Sequence, residues 1–166
     1  SGSVSVAINR SGAAVNGHVD VGDTAVTIDL PPGPFTEVRV SSAALEFGGF
    51  ELTADEFVFT DTPGVVGQSV DISGNNVGFV LSAAGRRVIG VQDGDFAVTM
   101  VPAGIYGAID QATILGPDFG GDLVVEGVVS ARFNSTNEEQ SVTIDGDPFS
   151  LDSGSNASPY VEVTLT

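Results

Sequence analysis

Three short stretches place carboxylates close enough together to act on one cation: Asp93-Gly94-Asp95, Asp118 with Asp122, and Asp145-Gly146-Asp147 with Asp152. Calcium takes about six to eight oxygens, and a turn of this composition offers carboxylates together with bare carbonyls, so each stretch is a half-site for Ca2+. The same residues also serve as plain turn formers, because Asp beside Gly supplies positive φ at little cost. Neither the twelve-residue helix-loop-helix calcium pattern nor the glycine-rich nonapeptide occurs. Calcium is therefore an expectation attached to these seven aspartates, and no cofactor is required by the sequence.

Other chemistry has little to build on. His18 is the single histidine, in NGHVDV beside a turn with Asp20 two residues on. A triad or a zinc site would rest on it alone, and no G-x-S-x-G elbow supplies a nucleophile. Paired acids hydrolyse glycosides only in a cleft with sugar-stacking aromatics, and the chain has no Trp and two Tyr, Tyr106 and Tyr160. Asn134-Ser135-Thr136 and Asn156-Ala157-Ser158 match the N-glycosylation triplet, which arises freely in an Asn- and Ser-rich chain. The reading is that this is not an enzyme.

The charge narrows the partners. Twenty-two acidic residues face five arginines and no lysine, a formal net charge of −17. Nucleic acid and anionic lipid both need cationic contacts, and Arg86-Arg87 is the one basic pair, so neither is an expected partner. There is no Cys, hence no disulfide framework. No apolar run is long enough for a membrane-spanning helix, and Ser1-Gly2-Ser3 reads as a cloning scar or the start of an excerpt, not as a targeting signal.

The elements that must carry these groups are strands. Apolar and polar residues alternate in AVTIDL, FAVTM, LVVEGVVSARF and the closing YVEVTLT, the period-two pattern of a sheet with one buried face. Strands are expected at 3–9, 17–22, 25–30, 36–47, 50–60, 67–73, 76–83, 86–92, 95–101, 105–115, 121–134, 140–145 and 158–166, with turns between them at SGNN (73–76), QDGD (92–95) and DGDP (145–148), among others. In ELTADEFVF, Leu52 and Ala54 are out of phase with Phe57 and Phe59: either the strand slips by one residue at Asp55-Glu56, a bulge, or both of its faces are partly buried there. The fold class is all-β: an antiparallel sandwich or flattened barrel.

The two ends are alike. Asn9, Pro34, Phe35 and Glu37 match Asn134, Pro159, Tyr160 and Glu162 at an offset of 125, and VDVGD and VTIDL between them pair with VTIDGD and FSLDS. One domain spanning residues 1–166 thus holds about one and a third copies of a unit of roughly 125 residues, with 1–41 resembling 126–166. NRSGAAVNGHVDVGDTAVTIDLPPGPFTEVRV, followed by LEFGGFELTADEFVF and QDGDFAVTMVPAGIYGAI, resembles the tandem all-β repeats of very large secreted bacterial surface and adhesin-like proteins. The resemblance implies an extracellular or cell-surface location and a structural role, with no catalytic residues to carry over. The expected function is a structural repeat or filament-forming subunit that pairs with itself or with adjacent repeats head-to-tail. The contact strands are those of Val4, Val6 and Ile8 and of Val161, Val163 and Leu165. The alternative is a calcium-dependent adhesin that binds a carbohydrate or a surface.

Overall fold

The computed structural model describes residues 2–47, 49–64, 67–118 and 126–166. They form twelve strands: β1 Ser3–Asn9, β2 Val15–Val21, β3 Thr24–Leu30, β4 Phe35–Phe47, β5 Phe50–Gly64, β6 Gly67–Ala83, β7 Arg86–Val101, β8 Gly104–Leu115, β9 Glu126–Asn134, β10 Gln140–Ile144, β11 Asp147–Leu151 and β12 Tyr160–Leu165. The protein is all-β. Eight strands make one open antiparallel sheet in the order β1-β4-β5-β6-β7-β8-β9-β12, and β2-β3 and β10-β11 are separate two-stranded hairpins. Among the described residues no helix is long and apolar enough to cross a membrane.

The alternation of the sequence becomes continuous transverse rows. Val6, Val38, Phe59, Ile72, Val98, Gly107, Phe133 and Val161 stand directly opposite one another, strand after strand. The next row is Val4, Val40, Phe57, Gly74, Phe96, Ile109, Ala131 and Val163. Partners directly opposite share a face, so one face of the sheet is apolar from edge to edge. Each row carries a glycine next to aromatic rings. A Cβ on Gly74 would meet the Phe57 and Phe96 rings, and one on Gly107 would meet Phe133. The rings thus lean over the glycines and level the surface.

Halfway along, the long strands change phase together. Ser42 on β4, Asn76 on β6, Asp93 on β7 and Gln111 on β8 all have φ between 49 and 57°. Below this line Val40, Phe57, Gly74, Phe96 and Ile109 form a row; above it Leu45, Leu52, Phe79, Val91 and Ile114 form another, five residues away on every strand. An odd spacing puts both rows on one face only if each strand holds one irregular residue, and Val40, Leu45, Leu52 and Phe57 do line one shared hollow. The break expected at Asp55-Glu56 is part of this crease, with Ser42 and Asp55 left between the pairs Ser41–Glu56 and Ala43–Ala54. Two expected turns are corrected: SGNN and QDGD do not reverse the chain, and β6 and β7 run straight through them with register shifts. The DGD of residues 145–147 is a true hairpin turn, with positive φ at Asp145 and Gly146.

The buried core lies on the other face. Hairpin β10-β11 folds back over β7, β8 and β9, and Val142, Ile144 and Leu151 pack on Ala108 with Ala97, Tyr106 and Phe149 around them. Arg132 lies over the Phe149 ring, 5.5 Å from its centroid. β11 was not among the expected strands.

Candidate functional site

The end blocks share one construction. β1 pairs with β4 and β9 pairs with β12 in the same register: Asn9 opposite Phe35 and Asn134 opposite Tyr160, Val6 opposite Val38 and Ala131 opposite Val163. After each first strand an asparagine closes the loop. Asn9 Nδ2 donates to the carbonyls of Ala13 and Pro31 at 2.8 and 2.6 Å, and Asn134 Nδ2 to those of Glu138 and Asp152 at 2.8 and 2.9 Å. Their Oδ1 atoms accept the backbone N–H and the hydroxyl of Ser11 and of Thr136, all at 2.8–2.9 Å. Each loop holds a glycine, Gly33 or Gly154, whose N–H donates at 2.8 Å to the carbonyl of Ser11 or Thr136. At both glycines a Cβ would run into the asparagine's own carbonyl, so no other residue fits.

The blocks differ in what flanks them. β9 has β8 on its far side and β4 has β5, whereas the outer edges of β1 and β12 carry no strand among the described residues. The apolar residues singled out on these strands lie open to solvent: Val4, Val6 and Ile8 are 48–66% exposed and Val161, Val163 and Leu165 58–67%. Such edges are templates for a further strand. No family model, curated protein or solved structure matches the chain.

Of the aspartates singled out in the sequence, Asp93, Asp95 and Asp145 gather along the crease. Asp93 lines a cleft of about 420 Å³ with Asp55, Asn76, Ser42 and Gln92. Asn76 links the two sides, donating its side chain to Asp55 at 3.0 Å and its backbone N–H to Asp95 at 2.7 Å. Asp145, at the tip of the β10-β11 hairpin, accepts from Asn75 at 2.8 Å. Asp147 opens β11, and Asp152 contributes its backbone carbonyl to Asn134. The Asp118 N–H donates to the Arg87 carbonyl at 2.9 Å. Asp122 lies outside the described residues. Among the described residues, no group of three or more His, Cys, Asp or Glu side chains is placed to hold a metal.

Burial pushes the Asp95 carboxyl up from the usual carboxylate range; the Asn76 N–H opposes this, and Asp145 and Asp110 add to the rise. A carboxyl raised by folding contributes stability that is present at low pH and lost as pH climbs through its folded titration. Asp95→Asn keeps the oxygen that accepts from Asn76 and removes the charge. It should raise the melting temperature slightly at pH 7, with the gain vanishing as pH falls below the ordinary carboxylate range. Melting curves of both proteins across pH check this.

His18 stands exposed on β2, opposite Thr27. Asn134 of the first glycosylation triplet is fully buried, so the N-x-[ST] triplet there is a loop clasp rather than a sugar site. The same triplet type at Asn9-Arg10-Ser11 was the sequence signal for it.

Proposed function

We propose that the chain is a structural unit of an extracellular bacterial surface array, extended head-to-tail by strand pairing at its two ends. The observation that carries this reading is the pair of end blocks. They have one register and one hydrogen-bond network, yet each leaves open an edge that its counterpart has filled. The surface area agrees. At 10360 Å² the chain exposes about 2,700 Å² more than a folded monomer of its size ordinarily presents. Repeat units behave this way because each covers part of its neighbour. The role is mechanical, a spacer, and the charge of −17 keeps neighbouring arrays apart until salt or divalent ions screen it.

Negative-stain microscopy of the purified chain, with calcium and with chelator, is the test. Linear particles with a regular axial repeat are expected, clustering side by side when calcium is added. Single particles at every protein concentration and in both conditions would defeat the reading.

A further inference from the structure

Hairpin β2-β3 is amphipathic, and its apolar side stays open among the described residues. On one side Val15 faces Leu30, Gly17 faces Ile28 and Val19 faces Val26; on the other Asn16 faces Asp29, His18 faces Thr27 and Asp20 faces Ala25. Such a pattern belongs to a hairpin lying with its apolar side on a sheet. Yet Val19 is 50% and Val26 46% exposed. The hairpin meets the main sheet chiefly through β3 along β1, as β11 meets β9 in the other block.

The other block shows what belongs beneath it. An offset of 125 carries Val19 onto Ile144 and Gly17 onto Val142, while Leu30 and Leu151 hold the matching last position of their hairpins. Ile144 is 7% and Leu151 1% exposed, because their hairpin reaches from β9 across β8 and β7 onto Ala108, Ala97 and Tyr106. β2-β3 leaves β1 by the same clasp and so reaches past the open edge of the sheet, where its own chain supplies no β7 or β8.

We infer that the underside of β2-β3, together with the outer edge of β1, is built to receive the β7-β8 pair of a second copy of this unit. This rests on the head-to-tail reading and sharpens it, since it assigns β1 to the β8 edge of its neighbour and not to the β12 edge. The floor beside β12 is the wrong chemistry. On that face β9 and β12 carry Arg132 and Glu162, an ion pair at 3.6 Å with side chains 39% and 47% exposed. Valines laid over them would strip water from both charges. β7 and β8 offer two alanines and a tyrosine ring instead. The incoming residues 1–41 and the unit's own residues 126–166 are thus alternative occupants of one position.

A chain in which residues 129–165 are replaced by a second copy of residues 4–40 tests this without requiring any self-assembly. It should fold cooperatively, melting within several degrees of the native protein. Val19→Asp should then be silent in the N-terminal copy and lower the midpoint by roughly 10 °C in the transplanted one, where it would bury an unpaired charge. An unfolded hybrid, or equal effects of the substitution at the two positions, would overturn the inference. Either result leaves the microscopy to decide on head-to-tail growth, and unassembled particles there would leave a folded hybrid unexplained by chance fit.

Discussion

Asn134→Ala is expected to lower the unfolding free energy by about 3–5 kcal/mol, measured by chemical or thermal denaturation followed by circular dichroism. The side chain is fully buried and makes four hydrogen bonds, donating to two carbonyls and accepting from an N–H and a hydroxyl. Alanine leaves the Asp152 carbonyl and the Thr136 N–H without this mate, while the Thr136 hydroxyl and the Glu138 carbonyl keep each other, and each buried orphan costs on the order of 1–3 kcal/mol. Some relief comes from water entering the gap, which holds the sum below the full total. Asn9→Ala removes the same four bonds. Its hairpin does not rest on a core, so the loss stays local. Amide exchange should quicken across residues 10–33 while the global midpoint moves little. Equal global effects for the two asparagines would mean that β2-β3 is already packed on something in the isolated chain.

Leu151→Ala should cost about 2–5 kcal/mol, the range for emptying a buried leucine site. Leu151 is among the largest fully buried side chains and locks β11 onto the sheet beside Val142, Ile144 and Ala108. The matching Leu30→Ala should cost less than about 1 kcal/mol, since Leu30 is only half-buried and its hairpin has no floor. A large effect at Leu30 alongside a small one at Leu151 would reverse the assignment of which hairpin is docked.

Period-two alternation made the strands and the all-β class legible, and the out-of-phase pair Leu52 and Phe57 disclosed the crease at one strand. That the crease crosses four further strands was not legible. Asn76 and Asp93 supply positive φ, and positive φ serves a hairpin turn and a mid-strand irregularity equally well. Only neighbours that break at the same level decide between them, and those neighbours are far away in the chain. β11 was missed because DPFSL is short and opens on Asp-Pro, although its match to the strand VTIDL pointed to it. The docked and undocked hairpins read alike in sequence. Their difference lies in what the topology places beneath them. The aspartate groupings were visible as chain neighbours, whereas the crease sets Asp95 with Asp110 and Asp145 from three separate strands and turns.

The transverse rows have a mechanical consequence. Val4 on β1 and Ile109 on β8 stand on the same row, so the points where load would enter and leave the sheet are separated across the strands, about 24 Å apart for five strand spacings. Tension between them runs along the inter-strand hydrogen bonds and not along the strands. Bonds loaded in that direction open one after another, as in a zip, and do not share the force as they do in shear. Each strand from β4 to β8 that peels away releases 12 to 17 residues of slack. An array of such units would stretch in many small steps at low force and dissipate work at each one, a yielding tether rather than a stiff strut.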